Sequence, residues 1–342
     1  MTEQELYKKV VQVEKFDDVA GFLDALRVHD ARWCDKPSDW VFRGQSNRTR
    51  EYELLPTALR PDNPLMAKVL REIEHPHLPV TNRVQMMAEC VLVEHFVKEA
   101  DHLGYAVPES HALHRGSMLE RLRDIADHEW HDDNVFWPWD EWWHWFGLAQ
   151  HHGVPTRLLD WTAKADIAAY FAAAEAAEWC ASNSGRLPAY PYIDVWAMNL
   201  ERVKELTADY SPPVLKVVTV TTAHNPNLAA QRGVFTLQVA ADVQLDVPLD
   251  RTPLDRFIVG LYPRLMEALT DVPMEEYTPA LRRLQLPMEL SRRLLQHLAE
   301  SGVHAGSMYP GLGGVARGMH ERLLHWERWP WRVPDLYRYD DE

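Results

Sequence analysis

Apolar residues follow helical spacing at both ends of the chain and strand-like runs in its middle. Residues 3–29 carry apolar side chains at intervals of three and four, which predicts one or two helices. Residues 65–104 show the same spacing, interrupted by a proline-containing loop at 75–79. The aromatic and β-branched run at 40–45 predicts a short strand. From residue 247 onward the pattern predicts helices separated by prolines.

The most informative stretch runs from residue 150 to 174 and reads QHHGVPTRLLDWTAKADIAAYFAAA. A short apolar run at 156–161 predicts a strand, and the alanine-rich run after it predicts a long helix. Thr162 lies between the two and is predicted to cap the helix N-terminus through its hydroxyl. Polar residues are concentrated at this junction, where a helix N-terminus favours anions. We therefore expect the junction to form the wall of a binding pocket.

Further short strands are predicted at 193–198, 215–221 and 233–239. Because these strands do not alternate with helices as βαβ units do, they indicate an α+β fold. The predicted domain organisation has three parts. They are a helical segment at 1–38, an α+β core at 39–246 with a helical, His- and Trp-rich insertion at about 64–146, and a helical part of the same domain at 247–342.

The charge of the chain is strongly acidic. Asp and Glu outnumber Lys and Arg by 51 to 36, which gives a net charge of −15. A field of this sign repels polyanions, so non-specific coating of DNA is not expected. The first 30 residues lack the apolar centre of a signal peptide, and the most apolar helix contains Asp166, Glu175 and Glu178. We therefore expect a cytoplasmic protein that does not enter a membrane.

The cysteines and histidines do not predict a metal site. Cys34, Cys90 and Cys180 are far apart and lack CxxC spacing, which argues against a disulfide scaffold and against a cysteine zinc site. The histidines between residues 111 and 131 lack HExxH spacing. Five tryptophans lie between residues 137 and 145. They are expected to form core or an interface patch rather than a platform for stacking bases.

The end of the first predicted strand carries Arg43, Gly44 and Gln45, which are candidate ligand-binding residues. Glycine allows a close approach of the backbone, and a guanidinium binds phosphate or carboxylate with two hydrogen bonds. A solvent-facing or ion-paired side chain is the alternative for Arg43. Arg157 and Asp160 in the central stretch are likewise either pocket residues or a buried ion pair.

Several separated motifs resemble the FRG-domain family, which is named after the Phe-Arg-Gly of its first motif. The motifs follow the family's order. They are VFRGQ at 41–45, LLPT at 54–57, QHHGVPTRLLDWT at 150–162, QRGVF at 231–235, and ESGVH with SMYPGL at 300–312. The resemblance covers about residues 40–320.

The order of the motifs also resembles that of ADP-ribosyltransferases, which implies a small mixed sheet of that type surrounded by helices. By this resemblance Arg43 would hold the phosphate or ribose of NAD, Thr162 would stand at the second motif, and Gln231 at the third. Gln231 is not a carboxylate and does not take up a proton. Either Asp160 or Glu94 would substitute for one, or the acceptor, a nucleic-acid amine or hydroxyl held in place, would need little activation because it gains mainly from proximity. The NAD-binding residues implied are Arg43, Gly44, Gln45, Gln150, His151, Arg157 and Tyr170.

The resemblance implies an enzyme that transfers ADP-ribose from NAD to a macromolecular acceptor, either protein or nucleic acid, without a metal. Such an enzyme would be a toxin or effector in bacterial conflict or phage defence, controlled by an antitoxin or another regulatory protein. The same pocket would serve equally as a non-catalytic sensor of a nucleotide or small anion. A nuclease is disfavoured by the acidic charge and by the lack of a dense cluster of metal ligands.

Overall fold

The computed structural model of the chain is an α+β structure built around a seven-stranded mixed sheet. The segments it describes are 3–33, 36–46, 54–73, 79–108, 117–118, 120, 137–183, 186–208, 210, 214–220, 226–238, 247–268 and 279–325. Cys34 and the histidines at 111–131 lie outside these segments, so the predictions made for them have no structural counterpart here.

The sheet contains all five predicted strands and two others. Its strands are β1 (Val11–Lys15), β2 (Trp40–Ser46), β3 (Leu158–Thr162), β4 (Tyr192–Asn199), β5 (Leu215–Val218), β6 (Gly233–Gln238) and β7 (Leu281–Pro287). Their order across the sheet is β1-β7-β4-β2-β3-β6-β5, in which β1 runs parallel to β7 and the other neighbours are antiparallel. The α+β class is confirmed.

The helices surround this sheet. They are α1 (Glu3–Val10), α2 (Val19–Ala25), α3 (Pro64–Ile73), α4 (Asn82–His102), α5 (Trp143–His151), α6 (Ala165–Ser182), α7 (Leu200–Thr207), α8 (Pro226–Ala230), α9 (Leu254–Ala268), α10 (Ser291–Glu300), α11 (Ala305–Met308) and α12 (Leu312–His325). Short 3-10 helices lie at Ala31–Trp33, Pro37–Asp39, Thr57–Leu59, Asp140–Trp142 and Met288–Leu290. Within the described segments, none of the helices has the length and apolar character needed to span a membrane.

The prediction that both terminal segments are purely helical is wrong, because β1 and β7 lie in them. The sequence of β7, LRRLQLP, contains charged and polar residues, so its pattern does not indicate a buried strand. The hydrogen-bonding groups of these residues are paired with a residue that is distant in the sequence. Arg283 Nη2 donates to Asp194 Oδ2 at 2.7 Å, and Gln285 Nε2 donates to Asp194 Oδ1 at 2.8 Å. Both terminal segments therefore contribute strands to the central sheet.

The long helix α6 covers one face of the sheet. Its alanines at 168, 169, 172 and 173 are fully buried, and their small side chains allow the helix backbone to lie close to β2. Gly44 lies directly beneath the helix, against Ala168 and Ala172. The glycine of the Phe-Arg-Gly motif thus permits a close approach, as expected, and the group that approaches it is the backbone of α6.

The tryptophan-rich segment belongs to the core. Trp137, Trp142 and Trp145 are buried together with Phe146 of α5 and with apolar residues of α4. The rings of Trp137 and Trp142 meet edge to face with their centroids 5.7 Å apart. The prediction of a packing role for these residues is confirmed.

The sheet opens between β2 and β3. β2 pairs with β4 along its whole length, from Trp40–Asn199 to Ser46–Ile193. By contrast, β2 pairs with β3 only at Phe42 and Thr162. The two strands separate on one side of this pair, and this separation creates room for a pocket within the sheet.

Candidate ligand-binding site

A pocket of about 320 Å³ lies where β2 and β3 separate. Its walls come from β2, β3 and β6, the end of α5, the first turns of α6, and the segment after α11. The predicted site residues that line it are Arg43, Gly44, Gln150, His151, Asp160, Thr162 and Gln231. Seven of the eleven predicted residues, taken from three separate motifs, are thus brought to one place.

Arg43 places a positive charge in the pocket. Its Nη1 donates to the backbone oxygen of Asp160 at 2.8 Å and lies 3.5 Å from the Asp160 carboxylate. Its Nε is buried and has no hydrogen-bond partner among the described residues. The side chain is 16% exposed, so the guanidinium is held against the wall and retains capacity to bind an anion.

A second guanidinium lies near the first. Burial lowers the pKa of Arg60, and the positive charge of Arg43 lowers it further, whereas Glu175 and Asp160 oppose the shift. Arg60 Nε donates to the backbone oxygen of Leu55 at 3.0 Å, which fixes the side chain. This region was identified from the sequence only by its LLPT motif at 54–57. The arginine in the LLPTALRP run was the available signal that it also contributes charge.

Asp160 is the one carboxylate among the described residues that line the pocket. It lies in β3, and its side chain is 51% exposed. Gln150 Nε2 donates to Asp160 Oδ2 at 3.0 Å, and the orientation of this amide is fixed by Thr156, whose Oγ1 donates to Gln150 Oε1 at 2.9 Å. The carboxylate is therefore held in place while one side of it faces solvent.

Thr162 does not cap the helix as predicted. It is the last residue of β3, and the N-cap of α6 is Lys164. The Thr162 hydroxyl accepts from the Lys164 backbone N–H at 3.1 Å and donates to the Gln231 backbone oxygen at 2.8 Å. The prediction fails because the strand extends one residue beyond the predicted end at 161. The hydroxyl instead ties β3 to the residues just before β6.

The side chain of Gln231 holds the C-terminal part of the chain against the pocket. Its Nε2 donates to the backbone oxygen of Met308 at 3.3 Å. Tyr309, the next residue, lines the pocket and meets Phe171 edge to face with centroids 6.4 Å apart. The guanidinium of Arg317 lies 4.4 Å from the centroid of the Tyr309 ring. Tyr309 was not predicted, although its motif was noted.

His151 is the last residue of α5 and lines the pocket beside Asp160. Burial lowers the pKa of the imidazole, and the neighbouring His152 lowers it further, whereas Asp160 opposes the shift. Most of the imidazole is therefore uncharged at pH 7.

Arg157 lies outside the pocket and pairs with Glu89 of α4 rather than with Asp160. Its Nε donates to Glu89 Oε2 at 2.7 Å, and its Nη2 donates to Glu89 Oε1 at 3.1 Å. Glu89 is fully buried and also accepts from Gln85 and Trp137. The possibility of a buried ion pair for Arg157 is thus realised, but with a different carboxylate, and the pair joins α4 to the start of β3.

The remaining predicted residues also lie away from the pocket lining. Glu94, also on α4, accepts from Lys98 Nζ at 2.5 Å and from Ser117 Oγ at 2.9 Å. Gln45 pairs with Asp194 of β4 in the sheet register. Tyr170 is buried in α6, and its hydroxyl donates to Glu321 Oε1 of α12 at 2.5 Å. Within the described segments, no three His, Cys, Asp or Glu side chains are grouped so as to hold a metal ion.

The comparisons with known proteins agree with the first motifs. The family model of the FRG domain matches residues 38–179. This range contains β2, β3, most of α6 and most of the pocket lining, and the match confirms the family resemblance. The motifs at 231–235 and 300–312 lie outside the matched range. No curated protein and no solved structure has a significant similarity to the chain.

Proposed function

We propose that this chain, which carries an FRG domain, binds NAD in the pocket between β2 and β3 and transfers ADP-ribose to a macromolecular acceptor. One observation carries the proposal. Arg43, Thr162 and Gln231, which resemble the three motif positions of ADP-ribosyltransferases, line a single pocket although they are far apart in the sequence. The finer fold type, a sheet of the ADP-ribosyltransferase kind, is part of the same proposal.

The chemistry of the pocket suits a dinucleotide. Arg43, with Arg60 nearby, provides positive charge for a diphosphate, and an arginine suits phosphate through its forked donors. Phe42, Phe171 and Tyr309 provide aromatic surface for a planar base. Ligand pockets commonly measure about 300 to 1,000 Å³. At about 320 Å³ this pocket would enclose one part of NAD and leave the rest along its rim.

Asp160 is the carboxylate that we assign to the reaction. Cleavage of the bond to nicotinamide passes through an oxocarbenium-like state, which a nearby negative charge stabilises. Gln231 does not supply this charge, and its amide is bonded to Met308. Glu94 lies outside the pocket lining. Asp160 therefore takes the part that a carboxylate at the third motif would otherwise have.

An activity of this kind suits a toxin or effector in bacterial conflict or phage defence. Unchecked modification of a macromolecule would harm the cell that makes the enzyme, so we include an antitoxin or other regulatory protein in the proposal. The acceptor is a protein or a nucleic acid.

A second function is supported by the contact between Gln231 and Met308. Because Gln231 and Tyr309 both line the pocket and belong to different parts of the chain, a ligand would contact β6 and the C-terminal helices at once. Such an arrangement suits a sensor that binds a nucleotide and changes the position of α11 and α12 without turnover.

The experiment that separates the two functions uses NAD labelled in its adenylate half. Purified protein is incubated with it alone, with cell lysate, and with nuclease- or protease-treated lysate, while nicotinamide release and label transfer are followed. Arg43→Ala and Arg43→Lys are compared with Arg27→Ala, whose side chain is exposed and distant in sequence from every motif. Circular dichroism checks that each variant is folded.

Label transferred by the wild-type protein and by Arg27→Ala, but not by Arg43→Ala, would support the transferase. Loss of transfer with only one lysate treatment would identify the acceptor class. A rise in melting temperature with NAD, without product, would support the sensor instead. If the protein forms no product and NAD does not shift its melting temperature, both proposed uses of NAD are overturned.

A further inference from the structure

We propose that His151 is the general base of this site and that the acceptor reacts through a hydroxyl group. The inference rests on the proposed transferase function and adds to it the class of acceptor. It concerns a residue that was predicted only to contact NAD. Its basis is the set of titratable side chains that share the pocket, and the chemistry that each of them allows.

Four titratable side chains line the described pocket, namely Arg43, His151, Asp160 and Tyr309. Arginine stays protonated in proteins and does not take up a proton. Burial raises the pKa of Tyr309, so its phenol stays protonated too and is a poor base at neutral pH. Asp160 accepts a hydrogen bond from Gln150 through Oδ2, lies 3.5 Å from Arg43 Nη1, and is assigned above to stabilising the oxocarbenium-like state. His151 is the remaining group, and it is the one that we assign to accepting the proton.

The position of His151 is fixed by its helix. Phe146 and Ala149 of α5 are fully buried in the core, and Gln150 is held by Thr156 and Asp160. The last residue of α5 is thereby directed to the pocket, where it stands with Asp160 and Arg43. Its neighbour His152 is exposed and lies against Phe96. The two adjacent histidines therefore have different surroundings, and one of them serves as a control for the other.

The surroundings of His151 suit a base that works near neutral pH. The imidazole is half-buried, which disfavours its charged form, while Asp160 stabilises the charge that appears when a proton arrives. A base is most effective when its pKa lies near the working pH, because it is then free to accept a proton and still basic enough to remove one. The neutral imidazole is free to accept a proton at pH 7, and the charge of Asp160 is placed to stabilise the imidazolium that results.

The reaction step is balanced as follows. The acceptor oxygen forms a bond to C1′ of the nicotinamide ribose, and the bond from C1′ to the nicotinamide nitrogen breaks. The electron pair of that bond goes to the ring nitrogen, so nicotinamide leaves as a neutral molecule. The proton of the acceptor hydroxyl passes to the free nitrogen of His151. A carboxylate acceptor carries no such proton at neutral pH and would gain nothing from this base.

The first test compares His151→Ala and His151→Gln with the control His152→Ala. We expect both changes at 151 to lower the rate of label transfer by about 100-fold or more, while NAD still raises the melting temperature as it does for the wild-type protein. The wild-type rate should fall at acid pH as the imidazole becomes protonated, and this dependence should disappear in His151→Ala. Added imidazole should restore part of the transfer by His151→Ala and none by Arg43→Ala.

The second test treats the labelled product with neutral hydroxylamine, which cleaves ester links to carboxylates and leaves glycosidic links to hydroxyls intact. Retention of the label is expected. Release of the label, or a transfer rate in His151→Ala equal to that of the wild-type protein, would overturn the inference while leaving the transferase function in place. Absence of nicotinamide release by the wild-type protein is a different result, which would count against the transferase function itself.

Discussion

The backbone oxygen of Ala168 occupies the space that a side chain on Gly44 would need. A Cβ atom at position 44 would lie 1.8 Å from that oxygen and 2.9 Å from the backbone nitrogen of Ala172. Both obstacles are backbone atoms of α6, so no side chain is able to rotate away. The glycine of the Phe-Arg-Gly motif and the alanines of α6 therefore belong to one packing arrangement, in which small residues on both elements allow β2 and α6 to lie close together.

Gly44→Ala is expected to lower the free energy of unfolding by at least about 3 kcal/mol, the upper part of the range for overpacked cores, because α6 must move away from β2. Urea unfolding followed by circular dichroism measures the change. Gly260→Ala is the matched control, since nothing lies within 4 Å of a Cβ there and alanine favours a helix. Equal stabilities of the two variants would contradict the packing argument.

Arg157→Ala is expected to cost about 3–5 kcal/mol of stability, because it leaves the fully buried Glu89 without its cation. The double change Glu89→Leu with Arg157→Leu should cost less than the single change, since no unpaired charge remains in the core. Urea denaturation of the three proteins gives these values. The folded fraction of Arg157→Ala should retain its affinity for NAD. A loss of NAD affinity as large as that of Arg43→Ala would mean that Arg157 contacts the ligand.

Asp160→Asn tests the carboxylate of the proposed reaction. The asparagine oxygen is still able to accept from Gln150, and the backbone oxygen that binds Arg43 is unchanged, so the fold should be kept. Nicotinamide release should fall about 100-fold or more, the usual effect of removing one electrostatic stabiliser. Initial rates and the dissociation constant of NAD separate this effect from weaker binding. A rate equal to that of the wild-type protein would show that the charge at 160 is not used.

Asp255 provides a prediction about pH that is independent of function. The carboxyl lies at the start of α9 and accepts from the Tyr7 hydroxyl at 2.8 Å. Burial raises its pKa, and the bond from Tyr7 only partly opposes the shift. The folded state therefore favours the protonated form. The stability that Asp255 contributes is complete at pH values below its unfolded pKa of about 3.9. This contribution is lost as the pH rises through the higher pKa that the carboxyl has in the folded state.

Asp255→Asn should accordingly gain stability relative to the wild-type protein as the pH rises from 4 to 7, because the amide carries no charge to desolvate. The unfolding free energies of the two proteins are measured at several pH values and subtracted. Titratable groups that the two proteins share cancel in this difference, so it reports on Asp255. A difference that is constant over the range would mean that the folded pKa is not raised.

The elements set by local patterns were predictable from the sequence. β2 has an aromatic and β-branched run, and α6 has an uninterrupted alanine-rich run that ends in polar residues. β7 was not predictable, because its buried Arg283 is acceptable only with Asp194, which lies on another strand. A local sequence pattern shows that a residue is polar. It does not show whether a distant residue forms a hydrogen bond or ion pair with it.

The same limit applies to the site. The motifs contain most of the residues that line the pocket, although the motifs themselves are far apart in the sequence. The pairings were not predictable: Arg157 joins Glu89, and Arg43 joins Asp160 across 117 positions of the sequence. Tyr309 reaches the pocket only because Gln231 binds Met308. Each of these contacts depends on how distant strands and helices pack together, which hydrophobic periodicity does not show.

The order of the strands also decides which fragments of the chain are able to exist alone. A piece cut at residues 38 and 179 would keep β2 and β3, which share a single residue pair, and would lose β4 and β6, the strands that flank them. Two strands joined so sparsely do not make a stable sheet in water. The matched range alone is therefore not expected to fold independently, and a fragment or fusion that is meant to function must include the sheet from β1 to β7.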